Sequence, residues 1–184
     1  GTRSLFIIRS NMKKNNKKWI ITITIMAFAI SMLFSFLSEM VLKDASLILG
    51  IILVLIFILL GIVFDMIGVA VTSADDKPII SMNAKKVKGS NMAVKFIKNS
   101  DRVSSICNDV VGDICGIVSG TAGVAVATSI ASKFDINLFI VSLLVTATIA
   151  ALTIGGKAMG KGVAIKNSTK IITMSSKVLS VFEK

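Results

Sequence analysis

The sequence lacks histidine and tyrosine and has few charges. Only 17% of its 184 residues are charged, whereas an average soluble domain has about 25%. The absence of histidine excludes histidine general-base chemistry, haem ligation by histidine, and zinc sites built from cysteine and histidine. The two cysteines, Cys107 and Cys115, are separated by about 12 Å along a helix, which is too far for a disulfide. We therefore do not expect a soluble enzyme, and we interpret the cysteines as small packing residues.

The composition is instead apolar and basic. Hydrophobic residues make up 54% of the chain, and its formal net charge is +11. Lysine and arginine collect in three blocks, at residues 3–18, 77–102 and 157–184, which flank apolar runs. Aromatic residues are sparse, so attraction to anionic lipid headgroups explains the blocks better than binding to nucleic acid does. The length indicates one domain, whose expected partner is a lipid bilayer and not nucleic acid.

Four apolar runs have about the length of a helix that crosses the hydrocarbon core, which takes about 20 residues. They cover residues 19–37, 47–71, 103–132 and 136–154. No small-residue cleavage site follows the first run, so we interpret it as a retained span and not as a signal peptide. The predicted fold class is an all-α integral membrane protein with four membrane-spanning helices.

The basic blocks also predict the topology. They lie before the first run, between the second and third runs, and after the fourth, whereas the other two connections are poor in lysine and arginine. The positive-inside rule therefore predicts a multi-pass protein of the cell membrane with both termini in the cytoplasm. Spaced apolar residues in 73–100 and 165–184 predict juxtamembrane amphipathic helices on the cytoplasmic side.

Glycines predict two further features of the spans. Gly112, Gly116 and Gly120 have the four-residue spacing that lets membrane helices pack closely. Between residues 155 and 162 the glycines are denser than packing requires. This density predicts a break or a kink in the helix near Gly155–Gly162, where unwound backbone lines a cavity.

Four charged side chains interrupt or border the apolar runs, and we treat them as candidate site residues. A charge at mid-membrane costs about 2.5–3.5 kcal/mol on insertion scales, so each needs a partner or water. Asp109 and Asp113 share a helix face, and Asn108 lies beside it. Counting residues from the ends of the runs places the charges in the cytoplasmic half or near mid-depth. The candidate ion- or substrate-binding residues are Asp65, Asn108, Asp109, Asp113 and Lys157.

Two interpretations of these residues remain open. In the first, Asp65 and Lys157 only border the membrane interface, where snorkelling makes their charges inexpensive. In the second, the residues line a polar cavity open to the cytoplasm, in which Asp109 and Asp113 face Lys157 or a bound cation. Asp109 and Asp113 would then be the metal ligands.

Three separated motifs carry a family resemblance. Residues 64–73 read FDMIGVAVTS, residues 97–105 read IKNSDRVSS, and residues 156–171 read GKAMGKGVAIKNSTKI. They match, in order and at similar spacing, the patterns F-S-A-S-E-T-A-L-T-S, L-x-N-P-D-R-L-L-S-T and G-E-x-x-P-K-x-x-A-x-x-N-P-E-x-I. Residues 64–171 therefore resemble the transmembrane domain of the CNNM/CorC family, also called CorB. The resemblance implies a homodimer that transports magnesium or cobalt, with magnesium or another divalent cation as its ligand.

The chain departs from the family at the positions that hold magnesium. Residues 65–68 (Asp-Met-Ile-Gly) stand at the S-A-S-E end, residues 110–111 (Val-Val) stand at a G-N pattern, and Lys157 stands at the Glu of G-E-x-x-P-K. Magnesium takes hard oxygen ligands, and an ammonium group cannot coordinate it. Lys157 is therefore expected to occupy the space of the cation, paired with Asp109 or Asp113.

The resemblance divides the chain into three parts. Residues 1–45 form a basic N-terminal segment and an extra first span, residues 46–171 form the CNNM/CorC-like transmembrane domain, and residues 172–184 form an amphipathic C-terminal helix. The nucleotide-binding CBS pair common in the family has no counterpart in these 184 residues. Regulation by ATP through CBS modules is therefore not expected of this chain.

Two functional hypotheses follow. The first is a membrane transport protein with an acidic cavity open to the cytoplasm, which handles an ion or small polar solute by alternating access. The second is a non-transporting or metal-independent relative that acts as a membrane adaptor or regulatory subunit and binds a cytoplasmic partner. Intramembrane proteolysis by two aspartates is a weaker third hypothesis, because no protease-type motif surrounds them.

Overall fold

The computed structural model describes residues 2–42 and 46–180, with side chains from residue 17 onward. Within these ranges the chain is helical and contains no strand. Residues 43–45, in the predicted first connection, and residues 181–184, at the end of the predicted amphipathic tail, lie outside the described residues. The elements are α1 Thr2–Leu42, α2 Leu47–Ser73, α3 Asp76–Ala84, α4 Ser90–Lys98, α5 Ser100–Ser105, a π-helical segment Ile106–Gly112, α6 Asp113–Phe134, α7 Leu138–Lys166 and α8 Ser168–Leu179.

Four helices in the described part of the chain are long and apolar enough to cross a membrane. Their bounds are Lys17–Leu42, Leu47–Ser73, Ser100–Phe134 and Leu138–Lys166. We call Ser100–Phe134, which joins α5, the π-helical segment and α6, the third span. The prediction of an all-helical chain with four such helices is confirmed.

Side-chain caps fix where two of the long helices begin. The Ser46 hydroxyl accepts a hydrogen bond from the Leu49 amide at 3.4 Å at the start of α2. The Asn137 side chain accepts one from the Phe139 amide at 2.9 Å at the start of α7. Each cap satisfies an amide that has no partner within its own helix. Asp135, with φ of 52°, ends α6 in the left-handed conformation that allows the sharp turn into α7.

The second span, α2, lies at the centre of the bundle and packs against both the third span and α7. The first span packs against the third span and against α2. The rings of Phe34 on the first span and Phe57 on α2 are 5.8 Å apart. Near the start of the first span, the Arg102 guanidinium lies 5.0 Å from the centre of the Trp19 ring. This cation–π contact fixes the start of the first span beside the start of the third.

The remaining short helices form a layer over one end of the bundle. Ile79 of α3, Ala93 of α4 and Ile172 of α8 are buried together against Ala70 and Val71 at the end of α2. The predicted segment 73–100 is split into α3 and α4, because Lys86 and Gly89 between them adopt positive φ. Amphipathic helices are thus present in both predicted segments. We call the end of the bundle under this layer the basic end, since the exposed lysines of α3, α4 and α8 lie there.

The predicted broken helix near Gly155–Gly162 is wrong, because α7 runs without interruption from Leu138 to Lys166. Two of its glycines provide close packing instead. A Cβ on Gly156 would overlap the Ile62 side chain, and a Cβ on Gly160 would lie 2.8 Å from Met66 Cγ. The irregular backbone is in the third span, where residues 106–112 are π-helical. Segments of this kind are rare and often occur at functional sites.

Candidate functional site

Lys157 of α7 lies between carboxylates from two other helices. Its ammonium nitrogen is 3.4 Å from Asp113 Oδ1 at the start of α6 and 3.8 Å from Asp65 Oδ1 on α2. The 3.4 Å contact also has the geometry of a hydrogen bond donated by the lysine. The structure therefore brings three of the five candidate residues into one cluster. We call Asp65, Asp113 and Lys157 the ion-pair cluster.

Small residues allow the three helices to approach closely enough for these contacts. A Cβ on Gly61 of α2 would lie 3.2 Å from Cys115 Cβ and 3.3 Å from the Gly112 carbonyl oxygen. A Cβ on Gly112 would lie 3.1 Å from the Cys107 carbonyl oxygen and 3.5 Å from Lys157 Nζ. Gly112, which the sequence marked only as a packing residue, thus leaves the space through which Lys157 reaches Asp113.

Asp65 is the most enclosed charge of the cluster. The residue is only 5% exposed. One of its oxygens contacts Lys157, and the other, Oδ2, is buried with no hydrogen-bond partner among the described residues. A buried polar atom of this kind is costly unless something satisfies it. The second oxygen is therefore available to a ligand, a proton or a water molecule.

Asn108 presents a second unsatisfied oxygen next to α2. Its amide nitrogen donates to Ser104 Oγ at 3.3 Å, but its Oδ1 is buried without a partner in the described part of the chain. The amide lies against Gly68, where a Cβ would overlap it. Gly68 is about one helical turn from Asp65, so the two unsatisfied oxygens lie on the same side of α2.

The cluster is open on the side of the third span. The Asp113 side chain is 65% exposed, whereas that of Lys157 is 20% exposed. Asp109 is exposed, and no ion pair to it occurs among the described side chains. The expected pairing of Lys157 with Asp109 or Asp113 is thus realised with Asp113, and Asp65 is the additional partner.

The donor set determines what the site can bind. Within the described residues, no three Asp, Glu, Cys or His side chains converge as a metal-binding group. Two carboxylates and one ammonium group leave one formal negative charge, and the unsatisfied oxygens of Asp65 and Asn108 are hard donors. Such a set suits a proton, a small cation held beside Lys157, or a hydrogen-bonding polar solute.

The sequence pointed to the charges but not to the backbone that positions them. The π-helical segment, Gly61 and the contact between Gly68 and Asn108 were not predicted. The only signal for them was the presence of glycines on α2 and at the end of the π-helical segment. Comparisons of the chain with protein-family models, curated proteins and solved structures found no match.

Proposed function

We propose that this chain is a multi-pass membrane transport protein whose cation or polar solute binds at the ion-pair cluster. The proposal rests on the surroundings of Asp65. This carboxylate is buried, with one oxygen against Lys157 and the other oxygen without a partner among the described residues. We place the basic end and both termini on the cytoplasmic side of the cell membrane, as the positive-inside rule predicts.

Depth supports a functional role for the charges. Asp65 is eight residues from the end of α2 at Ser73, or about 12 Å along the helix. Lys157 is nine residues from the end of α7 at Lys166, or about 14 Å. In a hydrocarbon core about 30 Å thick, these positions are well below the headgroups if the helix ends lie near the interface. Ionisable residues at such depth are costly and usually mark a transport or proton pathway.

Lys157 determines how a cation would enter. In the structure its ammonium group contacts both carboxylates and balances one of their two charges, so a second cation must compete with it for Asp65. Binding would therefore move the Lys157 side chain away from Asp65, and release would let it return. The resemblance to the CNNM/CorC family makes magnesium or cobalt the first species to test, and a monovalent cation or proton the next.

Flux measured in proteoliposomes tests this function. Asp65→Asn removes the charge while keeping the shape, and we expect it to reduce cation uptake by about tenfold or more, as loss of a charge-assisted contact implies. Asp135→Asn makes the same chemical change at the exposed turn before α7, where asparagine tolerates the left-handed backbone. Uptake by this control should equal that of the unmodified chain. Equal uptake by folded Asp65→Asn protein would reject the assigned site.

One observation favours a second function, that of a non-transporting adaptor. Lys157 contacts both carboxylates at once, so the cluster is held together without any added cation. An adaptor of this kind would show no shift in thermal unfolding with magnesium, cobalt, manganese or sodium, and no flux of any of them. It would also retain a cytoplasmic partner through purification, whereas a transporter needs none.

A further inference from the structure

A second polar cavity lies between the first span and the third span. It has a volume of about 440 Å³ and lies toward the end opposite the basic end, where Leu42 of α1 packs against Gly50 near the start of α2. Aliphatic side chains line part of it, and its polar lining residues are Ser35, Ser38 and Glu39 of α1 and Thr121 of α6. No member of the ion-pair cluster lines this cavity, so it is a separate site.

Ser38 has an unusual environment for a hydroxyl on a membrane helix. The residue is only 3% exposed, and its hydroxyl makes no hydrogen bond within the described part of the chain. Hydroxyls on helices commonly bond to a carbonyl oxygen one turn back, as those of Thr22 and Thr24 on the same helix do. A buried polar atom without a partner is costly unless something satisfies it. Because Ser38 lines the cavity, its hydroxyl is available to a ligand or a water molecule there.

Glu39 gives the cavity its charge. Its side chain is exposed and forms no ion pair with the described side chains, and the residues that line the cavity include no lysine or arginine. Thr121 donates its proton to the Val118 carbonyl oxygen at 3.0 Å, so its own oxygen remains an acceptor. One carboxylate and three hydroxyl oxygens are hard ligands of the kind that metal cations prefer. A monovalent cation balances the single charge, whereas a divalent one would leave an unbalanced charge among aliphatic side chains, which is costly.

Depth separates this arrangement from an ordinary charge at the membrane interface. Glu39 alone, three residues from the end of α1 at Leu42, would only border the headgroups, where a charge costs little. Ser35 is seven residues from that end, or about 10 Å. Thr121 is 13 residues from the end of α6 at Phe134, or about 20 Å. If the helix ends lie near the interface, the cavity continues below the carboxylate and offers oxygen atoms at a depth where lipid tails offer none.

We propose that this cavity binds a monovalent cation from the side of the membrane opposite the basic end. Glu39 supplies the balancing charge, and the hydroxyl oxygens of Ser35, Ser38 and Thr121 replace part of the hydration shell of the cation. Three of these four side chains belong to the first span, which lies outside the part of the chain that resembles the CNNM/CorC family, so the resemblance implies nothing about this site. The inference concerns binding and not flux, and it stands or fails separately from the proposed function.

Equilibrium binding of radioactive sodium or rubidium to the purified full chain tests the site. Asp65→Asn serves as the background, because the remaining carboxylate and ammonium group of the ion-pair cluster then balance each other. In this background we expect Glu39→Gln to lower the affinity for the bound cation by about tenfold or more, and Ser38→Ala by about threefold, as for a charged and a neutral contact. Asp135→Asn, at an exposed turn of the same end, is the control and should bind as the background does. Binding of neither cation, or unchanged affinity with Glu39→Gln, would overturn the proposal.

Thiol labelling in intact membranes tests access to the cavity without altering its charge. A cationic, membrane-impermeant thiol reagent added opposite the basic end should modify Ser38→Cys, and sodium or rubidium should slow the reaction relative to a bulky organic cation at equal ionic strength. Leu37→Cys is the matched control, because Leu37 is 48% exposed but does not line the cavity, and a thiol in apolar surroundings does not ionise to the reactive thiolate. The native cysteines are buried and give the baseline. No modification of Ser38→Cys, equal modification of Leu37→Cys, or no slowing by either cation would reject the site.

Discussion

The two halves of the bundle are held together in different ways. Toward the basic end, α2, the third span and α7 meet through the ion-pair cluster, with a π-helical segment beside it. Toward the other end, the same three elements meet through a cluster of aliphatic side chains that includes Val54, Val126 and Ile149. A groove of about 290 Å³ remains between them there, and apart from Thr148 it is lined by glycine and aliphatic residues.

The difference shows which contacts specify the arrangement of the helices. Lipid tails are as apolar as leucine, so burial of aliphatic surface gives little preference for one helix over lipid. A carboxylate on a membrane helix, in contrast, has few acceptable neighbours. In a bilayer, the ion-pair cluster would therefore specify how the three elements are placed, and the aliphatic side chains of the other half would pack in the arrangement that it sets.

The largest expected effect comes from removing the cation of the cluster. Lys157→Met leaves Asp65 buried without its positive partner, and breaking a buried pair in this way destabilises by about 3 kcal/mol or more. Asp113 adds little to this loss because its side chain is 65% exposed, and exposed pairs contribute about 0–1 kcal/mol. The free energy of unfolding in detergent, measured by titration with a denaturing detergent, checks the value.

A double variant separates charge balance from shape. Asp65→Leu with Lys157→Met leaves no unpaired buried charge, so we expect it to be more stable than Lys157→Met alone. Lys170→Met, on the exposed side of α8, is the control for loss of a lysine and should change stability by less than about 0.5 kcal/mol. A double variant that is less stable than Lys157→Met would show that the cluster acts through packing and not through charge.

A smaller effect is expected where backbone approaches backbone near the cluster. Gly61→Ala places a methyl group 3.2 Å from Cys115 Cβ and 3.3 Å from the Gly112 carbonyl oxygen. Neither atom can move without moving the third span, so we expect a loss of about 1–3 kcal/mol. Gly155→Ala adds the same methyl group in open space on α7 and should change stability by less than about 0.5 kcal/mol. Equal effects of the two substitutions in the same unfolding measurement would contradict the close approach.

The same contrast explains how much could be predicted from the sequence. The four long helices were predictable because membrane-spanning runs are set by composition alone. The meeting of the charges was also predictable. They were expected at similar depth, and a charged side chain in lipid has few acceptable neighbours other than another charge or water. The pairing of Asp65 with Lys157 was not predictable, because it depends on how α2 and α7 are rotated about their own axes. Hydropathy does not determine that rotation in helices that are apolar on every side.

The error over the glycines of α7 has a related cause. Gly156 and Gly160 can either break a helix or admit a neighbouring side chain, and only the position of α2 decides between these roles. Ile62 and Met66 fill the space beside them, so the helix continues. The π-helical segment was unpredicted because residues 106–112 read as ordinary helix. Its wider turn is a property of the backbone in its packed surroundings.

The smallest expected effect lies in the aliphatic half and completes the comparison. Ile149 is 8% exposed and its Cδ1 packs on Gly123. Ile149→Leu conserves volume, and the adjacent groove leaves space for the leucine to repack, so we expect a loss below about 1.5 kcal/mol and unchanged flux. Asp65→Asn is an equally conservative change in shape, yet it is expected to reduce flux strongly. If Ile149→Leu instead lowers flux as much as Asp65→Asn does, helix placement is specified as strictly by aliphatic shape as by charge, and the distinction between the two halves is lost.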